Sequence, residues 1–337
     1  MSISISQVAE KAGVSNMTVS RVLTDTGSVS DKTRKRILTT MANLGYVPSA
    51  AARSMRSKDT LRSIAGSCFA LIFGSDTQNA DEFFCGVARG AERESVNYSL
   101  CPLHVHWQES FNASFPRLQT ILSITGMCGA ILAGQFSRSD IEKIQKHTRN
   151  VVVIDSPVDG DADVASVESD NLGGCKLALN HLAQQKCRRV LVITGTEKHY
   201  FSQAMSESVK QFSDKFECIE TAEADYTIQG GIDVINRLWK SGKFYDGIFS
   251  NDTMALGASY ALLKLGLKIP KQIKVIGFDN IAYGECSVPP LSTIDIDKAK
   301  LGSEGVKTLV EMIRGNKEVS QIKKVIPAKL IIRESTI

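Results

Sequence analysis

Ser15, Asn16, Met17, Thr18, Ser20 and Arg21 are grouped around apolar positions, Val19 and then Val22 and Leu23, that recur at helical spacing. A helix of this pattern turns its hydrophobic residues inward and leaves an amide, a thioether, hydroxyls and a guanidinium outside. Those groups suit base edges and phosphates. Arg21 can fork onto a guanine, while Asn16 and Met17 open the helix and face the groove floor. A second polar set, Asp155, Asn251 and Asp279, stands near or just after the ends of apolar runs that read as strands, where ligands of open α/β sheets bind. Short carboxylates and amides there suit paired hydrogen bonds to hydroxyls, although Asn251 is equally placed to cap a following helix. No phosphate-binding glycine loop, nucleophile elbow or metal constellation accompanies them, so we expect neither an enzyme nor a cofactor.

The DNA-directed side chains need a scaffold, and residues 1 to 48 supply one. Ser6 is expected to cap a first helix with Val8, Ala9 and Ala12 on one face, and Ala9 is small enough for a second helix to cross closely. Gly13 suits a left-handed turn, and Ser15 caps the second helix, completing a helix-turn-helix. A third helix follows, capped by Ser30, striped with Ile37, Leu38, Met41 and Leu44, and stopped at Gly45. Its first turns carry Lys32, Arg34, Lys35 and Arg36. Beyond Pro48, residues 49 to 58 predict another short helix, in which Ala50, Ala51 and Ala52 permit close helix contact. Met55, between Arg53 and Arg56, sits where an apolar wedge enters a minor-groove step. Residues 49 to 56 are too few to hold a helix alone, so we expect them to order against a twin on DNA.

Val8-Ala9, Ala12-Gly13-Val14-Ser15, Thr18-Val19-Ser20-Arg21, Val29-Ser30, Thr33-Arg34 and Gly45-Tyr46-Val47-Pro48 together resemble the DNA-binding headpiece of the lac/galactose repressor family. Asn16-Met17 is similar to the corresponding pair of gluconate-type members. The resemblance implies a homodimer on near-palindromic double-stranded operator DNA. Ser15 to Thr18, Ser20, Arg21, Ser30 and Thr33 would then lie at the DNA, with Ala52 at the close approach of two hinges and Met55 as the wedge in place of the usual Leu. No leucine-heptad tail follows the core, which favours a dimer over a tetramer.

Composition agrees with a local polyanion-binding part. Residues 1 to 60 carry nine Lys and Arg against four Asp and Glu, or +5, while the whole chain is +4, leaving the remainder at −1. Eight cysteines are scattered beyond residue 60 without metal-ligand spacing, and we expect most of them to be small buried hydrophobes in a reducing compartment. No secretion signal is legible, and no run approaches the ~20 apolar residues of a membrane span. A cytoplasmic location is expected.

From residue 62, strands and helices alternate, which predicts parallel sheets with crossover helices. Expected strands are 64–73, 98–104, 129–133, 151–155, 164–167, 190–194, 247–250 and 274–278, with a last one at 326–333. Landmarks through this region resemble, more weakly, the same family's effector-binding core: Phe83-Phe84, Asp155, Asp170-Asn171-x-x-Gly174, His181-Leu182, Asn251-Asp252-x-x-Ala255-x-Gly257, Gly277-Phe278-Asp279-Asn280 and Pro289 to Ile294. That resemblance implies two Rossmann-like lobes, as in periplasmic sugar-binding proteins, crossed by the chain three times. Lobe one would hold 62–156 and 292–320, lobe two 157–291 and 321–337, behind a 1–48 headpiece and a 49–61 hinge and linker. The implied effector site contains Asp155, Asn251 and Asp279 with Phe84 and Tyr226 as aromatic walls. Met205 stands where the family usually has a ligand-gripping Arg, and Ile296 replaces a polar contact; Lys198, His199 and Asp81 are possible substitutes. The implied function is a repressor of a carbohydrate or sugar-acid operon, tuned by a sugar, sugar acid or sugar phosphate. The alternative is a constitutive DNA binder that has lost its effector.

Overall fold

A computed structural model describes residues 4–24, 29–44, 64–74, 81–106, 111–157, 164–315 and 322–337. The expected hinge helix, with Ala52 and Met55, lies outside the described residues.

Three helices form the N-terminal unit: α1 (Ile5–Ala12), α2 (Asn16–Thr24) and α3 (Asp31–Leu44). The first is capped by Ser4, not by Ser6. Ser4 Oγ accepts from the Gln7 amide at 3.4 Å while Gln7 Oε1 accepts from the Ser4 amide at 2.7 Å, a reciprocal box that Ser6, with Ala9 three residues on, cannot make. Gly13 takes φ +62°, as the turn requires. Ser15 and Ser30 cap the next two helices by accepting from Thr18 and Thr33. Val8, Ala9, Ala12, Val19, Val22, Ile37 and Met41 are buried together. Leu38 departs from the expected stripe at 50% exposure, because Ile37 and Met41, four apart, already occupy the inner face and Leu38 lies ~100° around the helix.

The remaining described residues build two six-stranded sheets. The first has the order β11 (Lys323–Ile326), β5 (Ala165–Ser169), β4 (Val151–Ile154), β3 (Met127–Ala133), β1 (Cys68–Phe73), β2 (Cys101–His106), parallel throughout. The second runs β12 (Lys329–Ile331), β10 (Ser292–Asp295), β9 (Lys274–Phe278), β8 (Gly247–Phe249), β6 (Arg189–Thr194), β7 (Cys218–Glu223), with only β12 antiparallel. Their central strands are unbroken apolar runs, such as Val151–Ile154 buried at every position, because crossover helices cover both faces.

The chain passes between the sheets three times, but not at the expected places. The strand near 165 belongs to the first sheet and the strand at 292 to the second, so the expected lobe limits at 157 and 292 both shift past one strand. The single strand expected at 326–333 is two: β11 in the first sheet and β12 in the second, separated at Pro327, which cannot donate to a ladder. Edge strand β7 and the helices Phe111–Leu122 and Lys298–Ile313 were also not expected. The last of these packs on the Asp81–Asn97 helix so closely that a methyl at Gly302 would overlap the Val87 carbonyl oxygen. Only Cys175 and Cys187 are buried; Cys85, Cys101 and Cys286 are exposed and three more are half-buried, contrary to the expectation for most of them. The half-buried Cys68 and Cys128 and the exposed Cys101 belong to the outer part of a sheet whose edge is β2. Among the described residues, no helix is long and apolar enough to cross a membrane.

Candidate functional site

Parallel strands deliver their C-terminal ends to one side of each sheet, and in both sheets those ends border one cleft. Its lining comprises Phe83, Phe84, Asp155, Asn171, His199, Tyr200, Phe201, Tyr226, Asn251 and Asp279, around about 570 Å³ of space that includes its open mouth. Asp155 follows β4 directly, Asn171 opens the helix after β5, Asn251 stands two residues beyond β8, and Asp279 follows β9.

Asp155 and Asp279 take positive φ values of +56° and +103°. Asp155 Oδ1 accepts from Ser169 Oγ, and its Oδ2 accepts from the Tyr200 hydroxyl at 2.8 Å. Since Ser169 ends a strand of the first sheet while Tyr200 starts a helix packed on the second, this carboxylate ties both sides of the cleft. A second tie runs from the Ala282 amide to Glu82 Oε1 at 2.5 Å. Around these groups the aromatic rings pack on one another. His199 stacks on Tyr200 at 4.4 Å, Phe201 leans on Phe278 at 4.6 Å, and Phe83 meets Phe84 edge-on at 5.1 Å. Tyr226 shares a 2.7 Å hydroxyl–hydroxyl bond with Ser202, and burial pushes its phenol up to about 12. Burial, reinforced by Asp252, raises the Asp279 carboxyl well above the usual carboxylate range, although Lys298 opposes the shift. In its protonated form Asp279 both donates and accepts.

The structure brings Phe84, Asp155, Tyr226, Asn251 and Asp279 together as anticipated. It does not bring Met205 to the cleft. Met205 is fully buried in the apolar core, where helix Tyr200–Gln211 packs on its sheet, and Ile296 is likewise buried. Neither faces the space that a gripping polar side chain would need. Asn251 does cap the helix Asp252–Lys264, accepting from the Met254 amide at 3.0 Å, while still lining the cleft. Tyr200 and Phe201 were not expected at the site from the sequence, His199 was expected only as a substitute contact, and Phe83 and Asn171 only as landmarks. Asn171 and the His199–Phe201 run share one signal, position shortly after the ends of β5 and β6. No Lys or Arg is among the described lining residues.

On the N-terminal unit, α2 exposes Asn16, Met17 and Arg21, with Met17 at 64% exposure. Thr18 and Ser20 are half-buried beside them. Ser15 Oγ bonds to Thr18 Oγ1 and Ser30 Oγ to Thr33 Oγ1, both at 2.9 Å, so these hydroxyls are shared between capping and the outer surface. Asn16 is braced by a 3.2 Å bond to Ser6. Lys32, Lys35 and Arg36 stand exposed on α3. The described part of this surface carries amide, hydroxyl and basic side chains, groups that suit the base edges and phosphates of duplex DNA.

Residues 4–49 match the family described as bacterial regulatory proteins, lacI family, and residues 179–336 match a periplasmic binding protein-like domain. The ribose operon repressor of Bacillus subtilis (strain 168) is 31% identical over 316 residues, covering 92% of this chain and 91% of that protein. The HTH-type transcriptional repressor CytR of Escherichia coli (strain K12) is 29% identical over 341 residues, covering 98% and 95%. A crystal structure of the lac repressor dimer bound to operator and the anti-inducer ONPF superposes with a TM-score of 0.77 at 22% identity, with complete coverage of both chains, a likeness of fold. The headpiece match, the two-sheet core and the near-full-length similarity to a repressor agree, and the chain belongs to the lacI family of bacterial regulatory proteins.

Proposed function

We propose that this repressor binds its operator as a homodimer in the cytoplasm and is controlled by a neutral, polyhydroxylated ring compound, a sugar or a nucleoside, held in the cleft between its lobes. The observation that carries the ligand class is the cleft lining. Six ring side chains and four carboxyl or carboxamide groups are present, with no Lys or Arg among the described residues. Aromatic faces cover a sugar or base ring, while carboxylates and amides pair with hydroxyls. A carboxylate or phosphate ester would meet the Asp155 carboxylate, and no Lys or Arg stands among the described lining residues to grip the anion. Among a sugar, a sugar acid and a sugar phosphate, the neutral sugar therefore fits best, and similarity to a ribose operon repressor supports it.

Control follows from the ties that cross the cleft. A ligand that binds Asp155 competes with the Tyr200 hydroxyl and changes the balance between lobe arrangements, and only its differential affinity for those arrangements can shift DNA binding. Asn16, Met17 and Arg21, with Ser15, Thr18, Ser20, Ser30 and Thr33 around them, are assigned to the operator. Ala52 and Met55 are assigned to the hinge.

Thermal unfolding against ribose, ribonucleosides, gluconate and ribose phosphate tests the ligand class. A ligand at 100 times its dissociation constant stabilises by ~2.7 kcal/mol. Stabilisation by a neutral compound that also alters operator affinity is expected. Stabilisation only by the anions would refute the ligand class, and no shift with any compound would favour the constitutive alternative.

A further inference from the structure

Three cysteines far apart in sequence meet on adjacent strands. Cys68 opens β1, and its register partner across the parallel ladder is Cys101, which opens β2. On the other side, β3 bulges beside Cys68, so that Met127 pairs with it and Cys128 is the extra residue. Direct register pairing on neighbouring parallel strands puts the Cys68 and Cys101 side chains on the same face of the sheet. Cys101 is exposed and the other two are half-buried. Neighbouring strands lie ~4.8 Å apart, within the 4.4–6.8 Å separation of Cα atoms that a disulfide spans.

The location adds meaning to the pairing. The described core begins at Ile64, and the turn that follows it is sewn to both neighbouring strands. Gly66 donates to Ser99, Cys101 donates to Ser67 at 2.9 Å, and Cys68 donates to Gly126 at 2.9 Å. The thiols thus lie at the opposite ends of these strands from the effector cleft, where the chain arrives from the headpiece.

We propose that Cys68 and Cys101 form an oxidisable dithiol site at the root of the headpiece linker, closed to a disulfide by a hydroperoxide and reopened by a thiol reductant, with a change in operator affinity. The exposed Cys101 sulfur attacks the peroxide oxygen, giving a sulfenic acid and releasing an alcohol or water. The Cys68 sulfur then displaces water from that sulfenic sulfur, forming the S–S bond; the two electrons lost by the thiols have reduced the O–O bond. Burial and the adjacent Cys101 push the Cys68 thiol up, so the exposed member meets the oxidant first and the second step quickens as pH rises. A disulfide brings the paired Cβ atoms to ~3.8 Å, which tightens the strand pair from which the linker departs.

The test uses the full-length chain with Cys85→Ser and Cys286→Ser to remove the other exposed thiols. It is treated with stoichiometric hydrogen peroxide, alkylated and digested without reduction. The expected product is an intramolecular linked pair of peptides containing Cys68 and Cys101, two hydrogens lighter than their sum. Operator affinity should shift at least threefold and return with dithiothreitol. Cys101→Ser should abolish both effects, and Cys128→Ser should preserve them. Retention of both thiols as alkylated residues, an intermolecular link through Cys101, or equal operator affinity of the oxidised and reduced protein would each overturn the proposal.

Discussion

Replacing Asp155 by Asn separates neutral from anionic ligands by the sign of its effect. Asn tolerates the +56° backbone at this position, and it occupies nearly the same volume. Of the Ser169 and Tyr200 hydroxyls that donate to Asp155, one can still donate to the amide oxygen, while the other rotates to accept from the amide nitrogen. The stability cost is then the weakening of charge-assisted bonds, about 1 kcal/mol. A neutral ligand loses a charged acceptor worth ~1.5–3 kcal/mol and keeps a neutral one worth ~0.5–1.5, so affinity should fall about five- to fifteenfold. An anionic ligand about 5 Å away is instead relieved of a like charge. At an effective dielectric constant of ~20 that relief is ~3 kcal/mol, and even a third of it raises affinity several-fold. Isothermal titration of wild type and Asp155→Asn with ribose or a ribonucleoside and with the corresponding phosphate measures both. Tighter binding of the phosphate by wild type, or unchanged affinity for the neutral compound in the variant, would refute the reasoning.

Arg21→Ala should cost about 1–3 kcal/mol on operator DNA and far less on random DNA; equal losses in a binding titration would make Arg21 a phosphate contact. Gly302→Ala forces a methyl onto the Val87 carbonyl oxygen, and backbone cannot yield as a side chain can, so a loss of about 2–3 kcal/mol is expected from the urea midpoint. An unchanged midpoint would mean that the two helices separate freely. Asp252 is buried and its carboxyl is raised from 3.8 to about 7, with Thr293 Oγ1 and the Ile281 amide donating to it. Between about pH 4 and pH 7 the folded chain therefore holds a proton that the unfolded chain has released, and stability falls as pH rises through that window, then levels off. Asp252→Asn should flatten this slope in urea titrations; an identical slope would place the titration elsewhere.

The headpiece was legible because its information is local. Caps, a turn glycine and apolar positions three and four apart specify short helices with little help from distant residues, and the reading failed only where neighbours compete, as at Ser4 against Ser6 and Leu38 beside Ile37. The core's alternation of strands and helices was likewise readable from apolar runs, and so was the place of Asp155, Asn251 and Asp279 just beyond strand ends, because a short polar residue directly after an apolar run marks where the strand stops. Tertiary structure alone decided which sheet each strand joined. Strands β5, β10 and β11 carry no local mark of their sheet, since an apolar strand pairs wherever crossover geometry and free edges allow. It also decided what Met205 does: a helix rotation of a few residues separates a cleft contact from a core contact, and the sequence spacing is compatible with both. The cysteine cluster belongs to the same class, because parallel register, unlike a hairpin, joins residues that no local spacing connects.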